Sequence, residues 1–512
     1  MMTNPANAMR MLITYSICIP LAIFVGYLLT NQFDYSTLGI LGFILAFIFS
    51  PIFIKWHYPI MVLALGLPIT LFFLKGSPSP GQVMVPLSLG IAIVERTLNS
   101  DRKFLNVPLM AWPLFFTLAL VIFTAKMTGG IGLHTFGNEI GGGKKYVTVF
   151  IGIATFFALI SRPIPKPQRN LYLALFFLAG LPTFISDLFP VLPTPLTYIN
   201  LLFPPSAYVD DNWQLGTTRL GSFSVSAQVL INFMLVRYGL RGIFLGGKLW
   251  RLPVFVFFLV VALLGGFRIV VIGYLILFTL LFFFEKLYRT RMLPISIVGG
   301  ILIMSLLIPF ADRLPFTFQR ALSFMPGINV TTDAKLSAEE STEWRLRIWR
   351  ATWPKVPDYL LVGKGYALSA EDFQMMGAGT FAGGASSKMD ASDEALAIAG
   401  DYHSGPLSTL MSFGIWGAIA IFWIMVAGLR IVYLNFKYGD PDLKTANTFL
   451  MAMHIQHCLA FFFIYGAFQN DVADFAKVIG FSVALNRGVC GLKIFSASKL
   501  HPIKTLSQAQ PA

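Results

Sequence analysis

Ser341-Thr342-Glu343-Trp344-Arg345-Leu346-Arg347-Ile348-Trp349-Arg350-Ala351-Thr352-Trp353-Pro354 lies inside the one long polar interruption of a hydrophobic chain. The interruption continues through Gly363-Lys364-Gly365 and closes at Asp401-Tyr402-His403-Ser404. On both sides of it, apolar runs of bilayer-crossing length follow one another. That contrast decides the fold: many membrane spans and one long segment outside them.

Composition agrees. Of 512 residues, 56% are hydrophobic and 12% charged, which is a multi-span membrane protein and not a soluble domain. The formal charge is +14, but the basic residues stand singly between apolar runs, as in the marking of cytoplasmic loops. This argues against nucleic acid as a partner. Cys18, Cys458 and Cys490 fall within or beside apolar segments and read as small packing residues, with no disulfide framework and no metal spacing. Arg10 precedes an apolar run, Met11 to Leu29, that is about as long as a bilayer span and has no small-x-small cleavage site after it. We read it as an uncleaved first span.

Apolar runs recur near 11–29, 37–54, 57–74, 82–94, 109–125, 146–160, 171–189, 223–240, 252–266, 269–285, 292–310, 405–434, 445–467 and 474–490. The expectation is an all-α polytopic membrane protein with about 12–14 transmembrane helices. With the start inside, the inner loops carry Lys55, Arg96, Arg162, Arg169, Arg237, Arg241, Lys286, Arg289, Arg430 and Lys444, while Asn31 to Ser36 and Gln469 to Asp474 are acidic or neutral. Lys75, Lys126, Lys144 and Lys145 break the alternation. Both termini are then cytoplasmic, and 311–404 is external. The expected division is N-terminal membrane helices over 1–190, central helices with outer-turn arginines over 191–310, a large external loop over 311–404, C-terminal helices over 405–490 and a tail over 491–512. No fixed-period repeat or inverted pair of broken spans points to a transporter.

Several residues invite chemistry. In the 341–353 segment, Ser341 or Thr342 reads as a cap and Pro354 as the end. A helical projection separates Arg345 from Arg347 and Arg350, which share the opposite side. Trp anchors and snorkelling Arg would equally make an interfacial helix. His403 stands just before a new span: it is either an ordinary loop histidine or a base for a sugar hydroxyl. Arg268 opens a descending helix whose unpaired N–H groups repel a cation, a placement that suits a shared anion or snorkelling to headgroups. His454 and His457 share a helix face, as a ligand pair or proton relay would, but without a third ligand in view they read as packing or helix–helix hydrogen bonding. Asp210-Asp211 reads as a solvated loop turn, with a metal or carboxylate site as the alternative.

In order along the chain, Arg345, Trp349, Pro357, Gly363, Gly365 and His403, followed by Gly414-Ile415-Trp416-Gly417, match the loop pattern of a known family. Arg219-Leu220-Gly221-Ser222-Phe223 and Phe267-Arg268 match its upstream elements. The chain thereby resembles the O-antigen ligase and O-antigen polymerase family of bacterial inner-membrane glycosyltransferases over roughly 215–420. Departures are Ser224-Val225-Ser226 in place of Pro-Asn, Phe267 for Ser, Ile269 and Val270 for small residues, and Ser404 for Asn.

The resemblance implies transfer of an oligosaccharide from undecaprenyl diphosphate to an acceptor sugar hydroxyl on a glycan or glycolipid, at the periplasmic face, without a metal or other cofactor. His403 would be the base, Arg268, Arg345 and Arg219 the diphosphate ligands, and Arg347 and Arg350 would serve lipid headgroups or loop packing. Asp34 is the lone carboxylate of the first outer loop, unlike the metal-dependent oligosaccharyltransferases. Ligase and polymerase stay open, and the rival classes are a transporter or flippase for lipid-linked glycans and a membrane scaffold.

Overall fold

The computed structural model describes residues 35–74, 76–99, 101, 103–129, 143–205, 219–368, 400 and 402–491, together with Ile19, Pro20, Ala22, Ile23 and Gly26. Most of the first apolar run, Asp34, Asp210-Asp211, Asp401, Cys18 and the C-terminal tail lie outside the described residues.

The fold is all-α and polytopic, and no strand occurs among the described residues. The helices are α1 (Tyr35–Ala64), α2 (Pro80–Leu98), α3 (Pro108–Thr128), α4 (Gly143–Leu159), α5 (Arg169–Leu178), α6 (Gly221–Phe244), α7 (Arg251–Ala262), α8 (Arg268–Phe284) and α9 (Met292–Phe310). The polar segment after α9 contributes α10 (Phe316–Leu322), α11 (Thr332–Thr352) and α12 (Val356–Tyr359), and the chain continues through α13 (Gly405–Tyr438), α14 (Lys444–Phe463) and α15 (Phe468–Asn486). Among the described residues, five helical stretches are long and apolar enough to cross a bilayer: Pro108–Thr128, Lys166–Asp187, Gly221–Phe244, Met292–Arg313 and Gly405–Tyr438. Their outward residues, such as Trp112, Phe123, Val298 and Phe422, form the exposed apolar belt of a multi-pass membrane protein. α9 is apolar on every face and none of its spanning window is buried, so it lies at the edge of the bundle.

Two sequence expectations change. The runs at 37–54 and 57–74 become one helical stretch, α1, that ends at Ala64. Beyond it, Gly66 and Pro68 break the helix, and the Thr70 N–H donates instead to the Leu202 carbonyl at 2.8 Å. The loop helix also begins earlier than Ser341. α11 starts at Thr332, because Ala334, Ala338, Glu339 and the Lys335–Glu339 pair favour helix. Ser341 and Thr342 are interior, and their hydroxyls bond back to the Ser337 and Ala338 carbonyls, which removes the need to cap.

The two ends of the bundle differ in what covers them. At one end Arg162 pairs with Glu95, Arg169 with Asp440 and Arg237 with Asn170, and Glu285 accepts the Leu240 and Arg241 N–H groups. Helices α10, α11 and α12 cover the other end.

They are locked there by a broken helix. Within α13, Gly414 has φ 62°, outside the helical region, so the Met411 carbonyl loses its intrahelical donor. The Lys364 N–H replaces it at 2.7 Å, the Gly365 N–H donates to the Ser412 carbonyl at 2.9 Å, and the Ile415 N–H donates to the Leu360 carbonyl at 2.8 Å. Gly363 and Gly365 also have positive φ and lie against the Ser412–Phe413 backbone and the Thr128 and Tyr146 side chains, where a Cβ would collide. The Gly-x-Gly motif is thus a plug in the helix break. A small cluster of Ile348, Val356, Tyr402, Leu407 and Met411, with Trp344 and Trp349 against it, packs α11 onto the same end of α13.

Candidate functional site

A cavity of about 1190 Å³ opens between α11, the start of α8 and the end of α14. Arg219, Arg268, Arg345 and His403 all line it, although they come from four separate places in the chain.

Arg268 is the first residue of α8, which no side chain caps. Its guanidinium donates to the Ala338 carbonyl at 2.7 Å and to the Thr342 hydroxyl at 2.8 Å, which joins α8 to α11. Arg345 is within electrostatic reach of Arg268. Among the described residues Arg345 makes no hydrogen bond or ion pair, and its Nε is buried without a partner. Two like charges brought together at the uncapped start of a helix, one of them without a partner among the described residues, form an arrangement suited to an anion. Arg219 donates from Nε to the Gly265 carbonyl at 3.1 Å and lies 4.8 Å over the Phe267 ring. Phe267, a departure from the family pattern, therefore supports Arg219 by a cation–π contact.

His403 stands between Trp344, with ring centroids 4.8 Å apart, and Tyr465 at 5.2 Å. Its φ of 47° is one that non-glycine residues rarely adopt. Two contacts maintain it: the Trp349 indole holds the Tyr402 carbonyl, and the Ser404 side chain caps α13 at Leu407 N. Strain held in place this way gathers at functional positions.

The projection of α11 expects Arg347 away from Arg345. In the structure both line the cavity, because the cavity wraps more than one stripe of the helix, while Arg350 is exposed and outside it. Sequence reasoning also misses Arg320, of which 8% is exposed. Its guanidinium donates to the Gly266 carbonyl at 2.9 Å, the Ser341 hydroxyl at 2.7 Å and the Ser337 hydroxyl at 3.0 Å. Arg320 therefore ties α10, the turn before Arg268 and α11 together. No motif marks it. Glu340 and Tyr465 were likewise invisible in the pattern, and Glu340 lines the cavity.

Below the arginines the wall is apolar: Ile269, Ile272 and Ile276 from α8 face Leu459 and Phe463 from α14. From Arg268 to Ile276 this strip descends about 12 Å along the helix.

His454 and His457 do not reach the cavity lining. His454 bonds the Met425 carbonyl at 3.0 Å and His457 the Asp471 carboxylate at 2.8 Å, so both serve contacts between helices. Asp471 in turn accepts the Ala467 N–H at 2.7 Å and so holds the turn that carries Tyr465.

A comparison with curated proteins finds no match. The family match begins at residue 253, after Arg219, so it takes in Arg268, Arg320, Arg345 and His403 but not Arg219 or Tyr465. Residues 253–422 match the family model described as O-antigen ligase, the family that the motifs of this chain resemble.

Proposed function

We propose that the protein transfers an oligosaccharide from undecaprenyl diphosphate to a sugar hydroxyl of an acceptor glycan or glycolipid. The observation that carries this is the meeting of three chemistries in one cavity: Arg268 with Arg345, which has no partner among the described residues, an apolar strip descending between α8 and α14, and His403 in the same lining. A diphosphate on a long apolar chain has a charged and an apolar part that match the first two. The strip takes the first isoprene units, and the arginines and the start of α8 take the diphosphate.

In the reaction a ring nitrogen of His403 takes the proton of the acceptor hydroxyl while its oxygen attacks C1 of the donor sugar. The C1–O bond to phosphate breaks, and its electron pair leaves on the diphosphate, whose growing charge Arg345 and Arg268 stabilise. The products are the extended acceptor and undecaprenyl diphosphate. No step requires a metal. The bundle end bearing Arg162, Arg169, Arg237 and Arg241 faces the cytoplasm and the cavity faces the periplasm of a bacterial inner membrane, by the bias of short basic loops.

Purified protein in detergent, given the lipid-linked glycan and an acceptor, tests the reading. Transfer should persist with a chelator present and fall about 10–100-fold in Arg345→Ala, the loss of a charge-assisted hydrogen bond or two. Transfer abolished by chelation, or untouched by Arg345→Ala, contradicts it.

A further inference from the structure

The cavity holds a second unpaired ionic side chain, and it has the opposite sign. Glu340 lines the cavity with Arg219, Arg268, Arg320, Arg345 and Arg347, yet among the described residues it makes no hydrogen bond or ion pair. Its neighbour Glu339 pairs with Lys335 across one helical turn. A carboxylate in this place lowers the attraction of the cavity for a diphosphate, because it cancels part of the field of the arginines. It fits a ligand that also brings hydroxyl donors.

Trp344 lies one turn along α11 from Glu340, at the i,i+4 spacing that puts two side chains on one face. It lines the cavity, is only partly buried, and its ring meets that of His403 at 4.8 Å. Arg345 is the next residue. One face of α11 therefore presents a carboxylate and an aromatic ring, and the adjacent position presents a cation. A pyranose has an apolar C–H face that stacks on an aromatic ring and an equatorial rim of hydroxyls that a carboxylate accepts as charge-assisted hydrogen bonds.

We propose that Glu340 and Trp344 form the sugar subsite of this cavity: Trp344 takes the apolar face of the pyranose joined directly to the diphosphate, and Glu340 accepts a hydrogen bond from one of its hydroxyls. The inference rests on the donor reading above and adds to it the residues that select the donor sugar. The subsite holds that ring beside His403, where its C1 meets the acceptor. The cavity then has a cationic half that reads the diphosphate of any donor and a carboxylate–aromatic half that reads which sugar it carries.

Two probes separate the halves: undecaprenyl diphosphate without sugar, and the lipid-linked glycan extracted from cells that lack the protein. Binding is measured on purified full-length protein in detergent. Glu340→Ala should weaken the glycan-bearing probe about tenfold, the loss of one charge-assisted hydrogen bond, and leave the bare diphosphate as tight or tighter. Trp344→Phe should lower affinity for the glycan-bearing probe alone, and Glu340→Gln should retain part of it. Arg345→Ala should weaken both probes. Equal weakening of both probes by Glu340→Ala, no change in either, or a change confined to the acceptor KM overturns the subsite. Failure of the wild-type protein to bind either probe contradicts the donor reading itself, and the subsite with it.

Discussion

The Trp349 indole N–H donates to the Tyr402 carbonyl at 2.8 Å, so helix α11 grips the backbone of the residue before His403. His403 keeps its positive φ between that grip and the cap that Ser404 provides. Trp349→Phe keeps the ring and removes the donor, a loss of about 1 kcal/mol of net hydrogen bonding. The transfer rate should fall about five- to tenfold with little change in thermal unfolding. An unchanged rate would show that the placement of His403 does not depend on this bond.

Arg320 supplies three hydrogen bonds to three segments that surround Arg268. Arg320→Leu leaves the Gly266 carbonyl and two serine hydroxyls without their donor, which should destabilise the protein by about 3 kcal/mol. Thermal unfolding in detergent reads the effect, and Arg320→Lys should restore part of it by keeping the charge but not the fork.

The plug at Gly414 makes a separate prediction. Gly414→Ala places a Cβ against the Leu360 carbonyl at a φ that alanine resists, a strain of about 1–3 kcal/mol before any collision. Protease should then cut the external segment faster, while the spans remain protected. Gly363→Ala, which strains the other half of the same joint, should do likewise.

At the opposite end the Arg169 guanidinium donates to Asp440 at 2.9 Å, with the Asp442 N–H and Lys166 adding to it. That contact with Arg169, then the Asp442 N–H, holds the Asp440 carboxyl down to about 2. Because the folded value lies below the unfolded one, near 3.9, the stabilisation is complete above the unfolded value and is lost as pH falls toward 2. Asp440→Asn should therefore lower the unfolding temperature at pH 7, and the difference from wild type should shrink as pH falls from about 4 to 2. A difference that stays constant over that range would place the effect of Asp440 elsewhere.

The sequence makes the membrane class and most helix positions legible, because bilayer burial writes long apolar runs that nothing else in a protein explains. It also singles out Arg219, Arg268, Arg345 and His403, through motif order and through the oddity of a cation at a helix start. What it hides is tertiary. Arg320 stands in the ordinary stretch Phe316–Leu322, and its importance comes from Gly266, Ser337 and Ser341, which are far away in sequence. Glu340 is one acidic residue among several, and only the cavity separates it from the paired Glu339. The start of α11 is hidden for a local reason: Ser341 and Thr342 look like caps until their bonds back to Ser337 and Ala338 are seen. The side of Arg347 is hidden by geometry, since a projection takes a ligand site to be as narrow as one stripe.

The central claim is that His403 takes the acceptor proton. The direct measurement is the rate of single-turnover transfer by His403→Ala, with the lipid-linked glycan saturating and its binding measured on the same preparation. The account predicts a rate lower by about 10²–10⁴-fold with donor affinity within a few-fold of wild type. A wild-type rate in that variant, or a loss explained wholly by weaker donor binding, would contradict it.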